Sequence, residues 1–252
     1  MAHIGVLEVF EEHNIPIDYI AGVSAGAIVA AAYASGSSPA EIARVGSAMR
    51  FGDVARWTLC KLGFCCTDGM SNLLNRLLKS SRFEDMRIPL ALAATDLKTG
   101  EPVIFRDRGD ARHAIQASCA FPGIFQPVRL DGRVLTDGAI SMEVPALLTR
   151  QLGAEKVISV CIPHDSSETE PGNLLDVVSR SLQILQARTE DSWRKHSDLV
   201  IVPAVGALPW HDFKSSSKMI EGGREAARRA LPVIQSWLDP DSAQVVSISP
   251  AA

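Results

Sequence analysis

One stretch constrains this chain more than any other: residues 15–36, IPIDYIAGVSAGAIVAAAYASG. Its first part, IPIDYIAGV, is a short and mostly apolar run, which reads as a buried strand. Its second part, from Ala25 to Ser35, is a helix of small residues that Gly36 stops. Between them lies Gly22-Val23-Ser24-Ala25-Gly26. A strand feeding straight into a helix through a serine between two glycines belongs to an α/β fold. Glycines permit a turn that side chains would obstruct, and the serine hydroxyl is then presented at the carboxyl edge of the sheet. The helix that follows aims its N-terminus, with the Ala25 N–H, at the same point, where an oxyanion would be favoured. The same residues also fit a plain Gly/Ala-rich helix packed closely on a sheet.

The rest of the chain extends the α/β pattern. Residues 2–12 place Ile4, Leu7 and Phe10 at helical spacing. SPAE at 38–41 supplies a capping box with proline at the first helical position. Residues 71–80, 110–120, 144–152, 173–196 and 215–238 read as helices, and 88–97, 101–105, 156–162 and 198–205 as strands. Asp131-Gly132, between two alternating runs, predicts a two-residue hairpin turn. Residues 51–70 fit neither period cleanly. Alternating strands and helices without an internal repeat or Gly/Ser linker predict one domain over 1–252, with the motif-bearing core in about 1–150 and an α/β part in about 151–240.

A serine hydroxyl is a weak nucleophile and needs a base. His3 and His13 precede Ser24, and the His13–Asp18 pair belongs at the opposite edge of the sheet. His113, His196 and His211 sit in polar contexts. His164 follows a strand at its carboxyl end and would suit a serine–acid–histidine triad. The competing base is Asp137, which ends the second strand of the hairpin, with Gly138 and Ala139 behind it. A lone carboxylate can serve when partial desolvation lifts its pKa toward working pH. Asp137 also fits one more Asp-Gly turn, and the residues alone leave these readings open.

Composition narrows the classes. A net charge of −4 lacks the basic stripe of a nucleic-acid surface. Five cysteines without C-x-x-C spacing fit a reducing compartment. No basic leader opens the chain, and no apolar run nears the ~18 residues of a spanning helix. A soluble cytoplasmic protein is expected, with peripheral membrane contact open. H-E-x-x-H, P-loop and G-x-G-x-x-G patterns are absent, so no metal or organic cofactor is implied.

GVSAG, ASCAFPGIFQPV and TDGAIS, in this order, resemble the patatin-like phospholipases, especially their compact bacterial branch. AATDLKTGEPVIF, LGAEKVISV and MIEGGREAARRALP add to the likeness, which runs from about Ala2 to the last helix. The resemblance implies a three-layer α/β/α fold with a mainly parallel central sheet. It also implies a serine acyl hydrolase of lipid esters working through a Ser–Asp dyad, with Ser24 as nucleophile and Asp137 as base. The family pattern carries a first strand and a G-G-G-x-[RK]-G oxyanion loop, and the residues that would follow them begin here at Ala2. A shortened chain, a substitute strand from AQVVSIS (243–249), or a relative that binds lipid or a partner without turnover are the three expectations. Removing one oxyanion donor typically costs ~10²–10³ in rate.

Two lesser features remain. WTLCKLGFCCTDG fits either a lid or lipid-contact loop or a satellite hydrophobic cluster. Arg224, Arg228 and Arg229 fit a basic patch or a solvated helix face.

Overall fold

The computed structural model describes residues 1–163, 170–205 and 215–239. His164, His211 and the 243–249 segment lie outside them. The chain opens with α1 (Ala2–Glu12), β1 (Ile20–Gly22), α2 (Ala25–Ala34) and α3 (Pro39–Ser47). A short α4 (Phe51–Val54) leads into a hairpin of β2 (Arg56–Cys60) and β3 (Gly63–Cys66), then α5 (Met70–Leu77). The middle contributes β4 (Leu90–Asp96), β5 (Pro102–Arg106), α6 (Ala111–Ser118), β6 (Val128–Leu130) and β7 (Arg133–Thr136). The last described elements are α7 (Ala146–Leu152), β8 (Ile158–Val160), α8 (Leu174–Arg194), β9 (Leu199–Ile201) and α9 (Ser216–Leu238).

Local chemistry accounts for several boundaries. The capping box forms as the sequence predicts: the Glu41 N–H donates to Ser38 Oγ while the Ser38 N–H donates to the Glu41 carboxylate. Asp131 and Gly132 both take positive φ, 49° and 75°, the conformation whose twist matches a two-residue hairpin. β1 is shorter than the apolar run suggests. Pro16 lacks a donor, and only Ile20–Gly22 come into register with β4.

The sheet is built around β4, whose seven residues are all buried. β5 lines one flank of β4, pairing Arg106–Pro102 with Ala91–Thr95. The other flank is shared. Ile20–Gly22 of β1 run parallel to Leu90–Leu92, and further along Thr136 and Leu135 of β7 pair antiparallel with Thr95 and Asp96. β1 and β7 therefore run toward each other along one edge of β4, and the residues after each strand converge beside Ala93. β6 extends the sheet by pairing with β7. The five-stranded sheet is thus mixed, with parallel pairing at β1–β4, and a separate parallel pair forms from β8 and β9.

Helices cover both faces. α2 packs on β1 and β4 and α6 on β4, in a core that also takes Ile42 of α3 and Leu74 of α5. Ile20 faces this core, whereas Tyr19, pointing oppositely as strand neighbours do, reaches Gly153 behind α7. α8 lies behind α7, and α1 and α9 form the most extensive helix pair. Arg224 of α9 is held by Glu8 and Glu221, so it serves the α1–α9 seam and is not part of an open basic patch.

Among the described residues, β1 has a hydrogen-bonded neighbour on one edge only. A cleft of about 630 Å³ is lined by Ile20–Gly22 of β1, by Ile158–Val160 of β8 and by Ile234 and Trp237 of α9. The cleft reaches His3, Gly22, Val23 and Gly26, and so runs beneath the serine turn.

Candidate active site

Ser24 sits between β1 and α2 with φ 51° and ψ −127°, a backbone geometry that L-residues adopt only under constraint. A Cβ at Gly22 would lie 2.7 Å from the Gly26 carbonyl oxygen and 2.8 Å from Ala27 Cα, so a side chain there would block the turn. Gly26 differs. A Cβ there would meet only His3 Nε2, at an ordinary 3.7 Å. The two glycines of the motif are therefore not equivalent: the first makes the turn, and the second has room for a side chain.

Asp137 follows β7 directly. Its neighbour Gly138 crosses β4 so closely that a Cβ would stand 2.2 Å from the Ala93 carbonyl oxygen and 3.0 Å from Val23 Cγ1. This crossing brings the two strand ends together. Ser24 Oγ donates to Asp137 Oδ2 at 2.7 Å, across 113 residues of sequence. The other carboxylate oxygen, Oδ1, accepts the Ala139 N–H at 2.9 Å. Asp137 is 1% exposed. Burial lifts its carboxyl from the ordinary 3.8 to about 6, against the lowering influence of the Ser24 and Ala139 hydrogen bonds.

Residues 118–120, at the end of α6, clamp both partners; the sequence places them at a helix end and within the ASCAFPGIFQPV motif, but assigns them no role in the site. Ser118 Oγ accepts the Ser24 N–H at 2.8 Å. Cys119 Sγ donates to the Ser24 carbonyl at 3.1 Å, and burial, followed by the nearby Asp137 charge, keeps that thiol protonated. The Ala120 carbonyl accepts the Asp137 N–H at 3.0 Å and the Thr136 hydroxyl at 2.8 Å. From β4, Thr95 Oγ1 donates to the Asp137 carbonyl at 2.9 Å. Strain at Ser24 is thereby held by bonds on both sides of the residue. The Ser24 N–H is committed to Ser118, so the backbone donors facing outward at the turn belong to the first residues of α2, where Ala25 is exposed.

The described histidines stand apart. His13 and Asp18 are exposed near the start of the segment leading into β1, and His113 is exposed on α6. His3 lines the cleft beside Gly26, its pKa lowered to about 3 by burial and then by the N-terminal ammonium. Among the described residues, no imidazole hydrogen-bonds Ser24 or Asp137. No group of three or more His, Cys, Asp or Glu side chains suited to a metal ion occurs among them either.

Comparison with known proteins identifies the family. The family pattern described as patatin-like phospholipase matches residues 1–150. An uncharacterized NTE family protein of Mycobacterium tuberculosis is 31% identical over 173 residues, 68% of this chain and 47% of that protein. The lysophospholipase NTE1 of Debaryomyces hansenii is 29% identical over 187 residues, 71% of this chain and 12% of that one. Among solved structures, VipD from Legionella pneumophila superposes with a TM-score of 0.54 at 12% identity, covering 92% of this chain and 64% of VipD. The chain thus spans about half the length, or less, of these curated relatives.

Proposed function

We propose that this chain, which belongs to the patatin-like phospholipase family, hydrolyses carboxylic esters of lipids through Ser24 and Asp137 by way of an acyl-enzyme. The observation that carries the reading is the 2.7 Å hydrogen bond from the Ser24 hydroxyl to a buried carboxylate. As Ser24 Oγ attacks the ester carbonyl, Asp137 Oδ2 takes its proton. A base with a pKa of about 6 is ionised at neutral pH, yet basic enough to accept a proton in the transition state. The tetrahedral oxygen develops its charge at the α2 N-terminus, where the Ala25 N–H and the helix dipole favour it. Collapse returns the proton from Asp137 to the leaving alkoxide and leaves Ser24 acylated. Water then attacks, giving its proton to Asp137, and collapse of the second tetrahedral intermediate breaks the acyl–Oγ bond, returning that proton to Ser24 Oγ as the fatty acid departs. Every proton in this cycle passes through one carboxylate, and no imidazole is needed.

The family supports lipid esters as the substrate class, and the name of the yeast relative places a lysophospholipase among proteins similar to this one. The test is hydrolysis of p-nitrophenyl butyrate and of a lysophospholipid by the wild type, Ser24→Ala, Asp137→Asn and His164→Ala. Loss of both activities in the first two variants with retention in the third is expected. Loss in His164→Ala with retention in Asp137→Asn would replace the dyad by a triad. An inert wild type that still binds lipid would point to a binding relative.

A further inference from the structure

Two strands of this fold turn backbone groups away from their described partners, and the residues that do so line one cleft. In β1 the Ile20 N–H donates to the Pro89 carbonyl beside β4, so the next residue, Ala21, turns its own N–H and carbonyl away from β4. In β8 the Val157 carbonyl accepts the Leu199 N–H, and the Cys161 N–H donates to the Ile201 carbonyl. Ser159 shares their direction, and the alternate residues Ile158 and Val160 turn their backbone groups away from β9. No strand among the described residues pairs with either of these edges. Ala21, Ile158 and Val160 all line the cleft of about 630 Å³.

The cleft lies at the level of the sheet. Phe10 of α1 and Ala30 of α2 line it from the helices of one face, and Ala146 and Thr149 of α7 from the other. Unpaired strand edges are a template for another strand. An alkyl chain would leave these N–H and carbonyl groups without partners, whereas an extended peptide meets both rows at once.

The course of α9 says which peptide. Its first turns lie beyond the end of β9, where a Cβ at Gly222 would stand 3.0 Å from the Ala204 carbonyl oxygen. Its last turn lies where β8 begins, with the Lys156 ammonium 5.3 Å from the centre of the Trp237 ring. Ile234 packs in one cluster with Ile15, which precedes β1. Trp237 and Leu238 themselves line the cleft. A chain leaving α9 therefore stands at the entry ends of both strands, and continuing along them it would run toward Ser24. The sequence suits that course. Pro240, which does not prolong a helix, comes first, and AQVVSIS at 243–249 follows without a charge, a proline or a glycine. Seven extended residues span roughly 20 Å, ample for the three-residue β1 and the turn beyond it.

We propose that residues 243–249, which lie outside the described part of the chain, enter this cleft as an extended strand parallel to β1 and β8 and bonded to both. The chain's own tail would then join the β8–β9 pair to the sheet that carries Ser24. β1 spans three residues and yet bears the strained serine turn, so a ladder on its second edge braces that turn. Nothing in this seating depends on the chemistry at Ser24.

Hydrogen exchange of the full chain, read by mass spectrometry of its peptides, is the test. In the wild type, amides of 245–249 should exchange about a hundredfold or more slower than in a free peptide of the same sequence. Proline donates no ladder bond, so Val246→Pro and Ser247→Pro should each raise exchange about tenfold or more in peptides covering 19–23 and 157–161. Ala251→Pro should leave both as in the wild type. Peptides from α2 and α6 report the fold and should stay slow throughout. Should a proline variant lose that slow core, Val246→Ala replaces it; with the ladder donor kept and an apolar side chain removed, both regions should still exchange severalfold faster, and no rise would contradict the seat. Exchange of 243–249 at the free-peptide rate in the wild type would overturn the proposal. So would slow exchange there that the prolines release without change at 19–23 and 157–161. Protection that vanishes on dilution, together with a halving of mass in light scattering, would give the cleft to the tail of a second copy and overturn it as well.

Discussion

Replacing Asp137 by Asn is expected to end catalysis and, at neutral pH, to stabilise the fold. The carboxyl is 1% exposed, and burial lifts its pKa from 3.8 to about 6. Between those two values the native state holds a proton that the unfolded chain has released. Stability therefore falls as pH rises through that window, and the loss is complete above about pH 6. At roughly 1.4 kcal/mol per pH unit, the ionised carboxylate costs the native state about 3 kcal/mol at pH 7. Asparagine keeps the shape: its Oδ1 can accept the Ala139 N–H, and its Nδ2 can donate to Ser24 Oγ. The variant should gain about 2–3 kcal/mol at pH 7, or roughly 5–10 °C in Tm for a chain of this size. The gain should shrink toward zero near pH 4, where the wild-type carboxyl is protonated in the fold. Thermal melts of both proteins from about pH 4 to pH 8, with urea midpoints alongside, measure the difference directly. A variant no more stable than wild type at pH 8, or an advantage that does not change with pH, would refute the reasoning.

The glycines give a second contrast. Gly22→Ala and Gly138→Ala should each lose roughly 3 kcal/mol or more, since the added methyl meets backbone, whereas Gly26→Ala should be neutral or gain up to ~1 kcal/mol by helix propensity; urea denaturation separates the three. Ser118→Ala leaves the Ser24 N–H without its acceptor, so a loss of about 1–3 kcal/mol is expected, together with a fall in kcat of about tenfold at little changed KM. An unchanged kcat in that variant would mean that the turn is held without the clamp.

Much of this architecture was legible because it rests on local rules. The serine turn, the Asp131-Gly132 hairpin and the Ser38–Glu41 cap each need only a few neighbouring residues, and each formed as read. Asp137 was visible as a candidate because it ends a hairpin strand before a glycine. That Asp137 meets Ser24 depends on β1 and β7 sharing one edge of β4, a fact of sheet order that periodicity does not carry. The clamp at Ser118–Ala120 escaped for the same reason: a small polar residue ending a helix looks alike whether it caps its own turn or holds a strand 94 residues away. Gly22 and Gly26 look identical in the motif, and the steric surroundings alone distinguish them. The sequence of α8 shows that the helix has an apolar face, but its direction is set by what packs beneath it. The difficulty of residues 51–70 has a plain origin as well, since a four-residue helix and a two-stranded hairpin are too short to establish a period.

The central claim is that Ser24 is activated by Asp137 alone. It is tested most directly by the rate at which a fluorophosphonate labels the protein, followed from about pH 5 to pH 8, with the modified residue located by peptide mass spectrometry. The account predicts a single label on Ser24, a labelling rate that falls about tenfold per pH unit below about pH 6, negligible labelling of Asp137→Asn, and no dependence on any histidine. Label on another residue, a rate indifferent to Asp137, or a rate abolished by His164→Ala would contradict it.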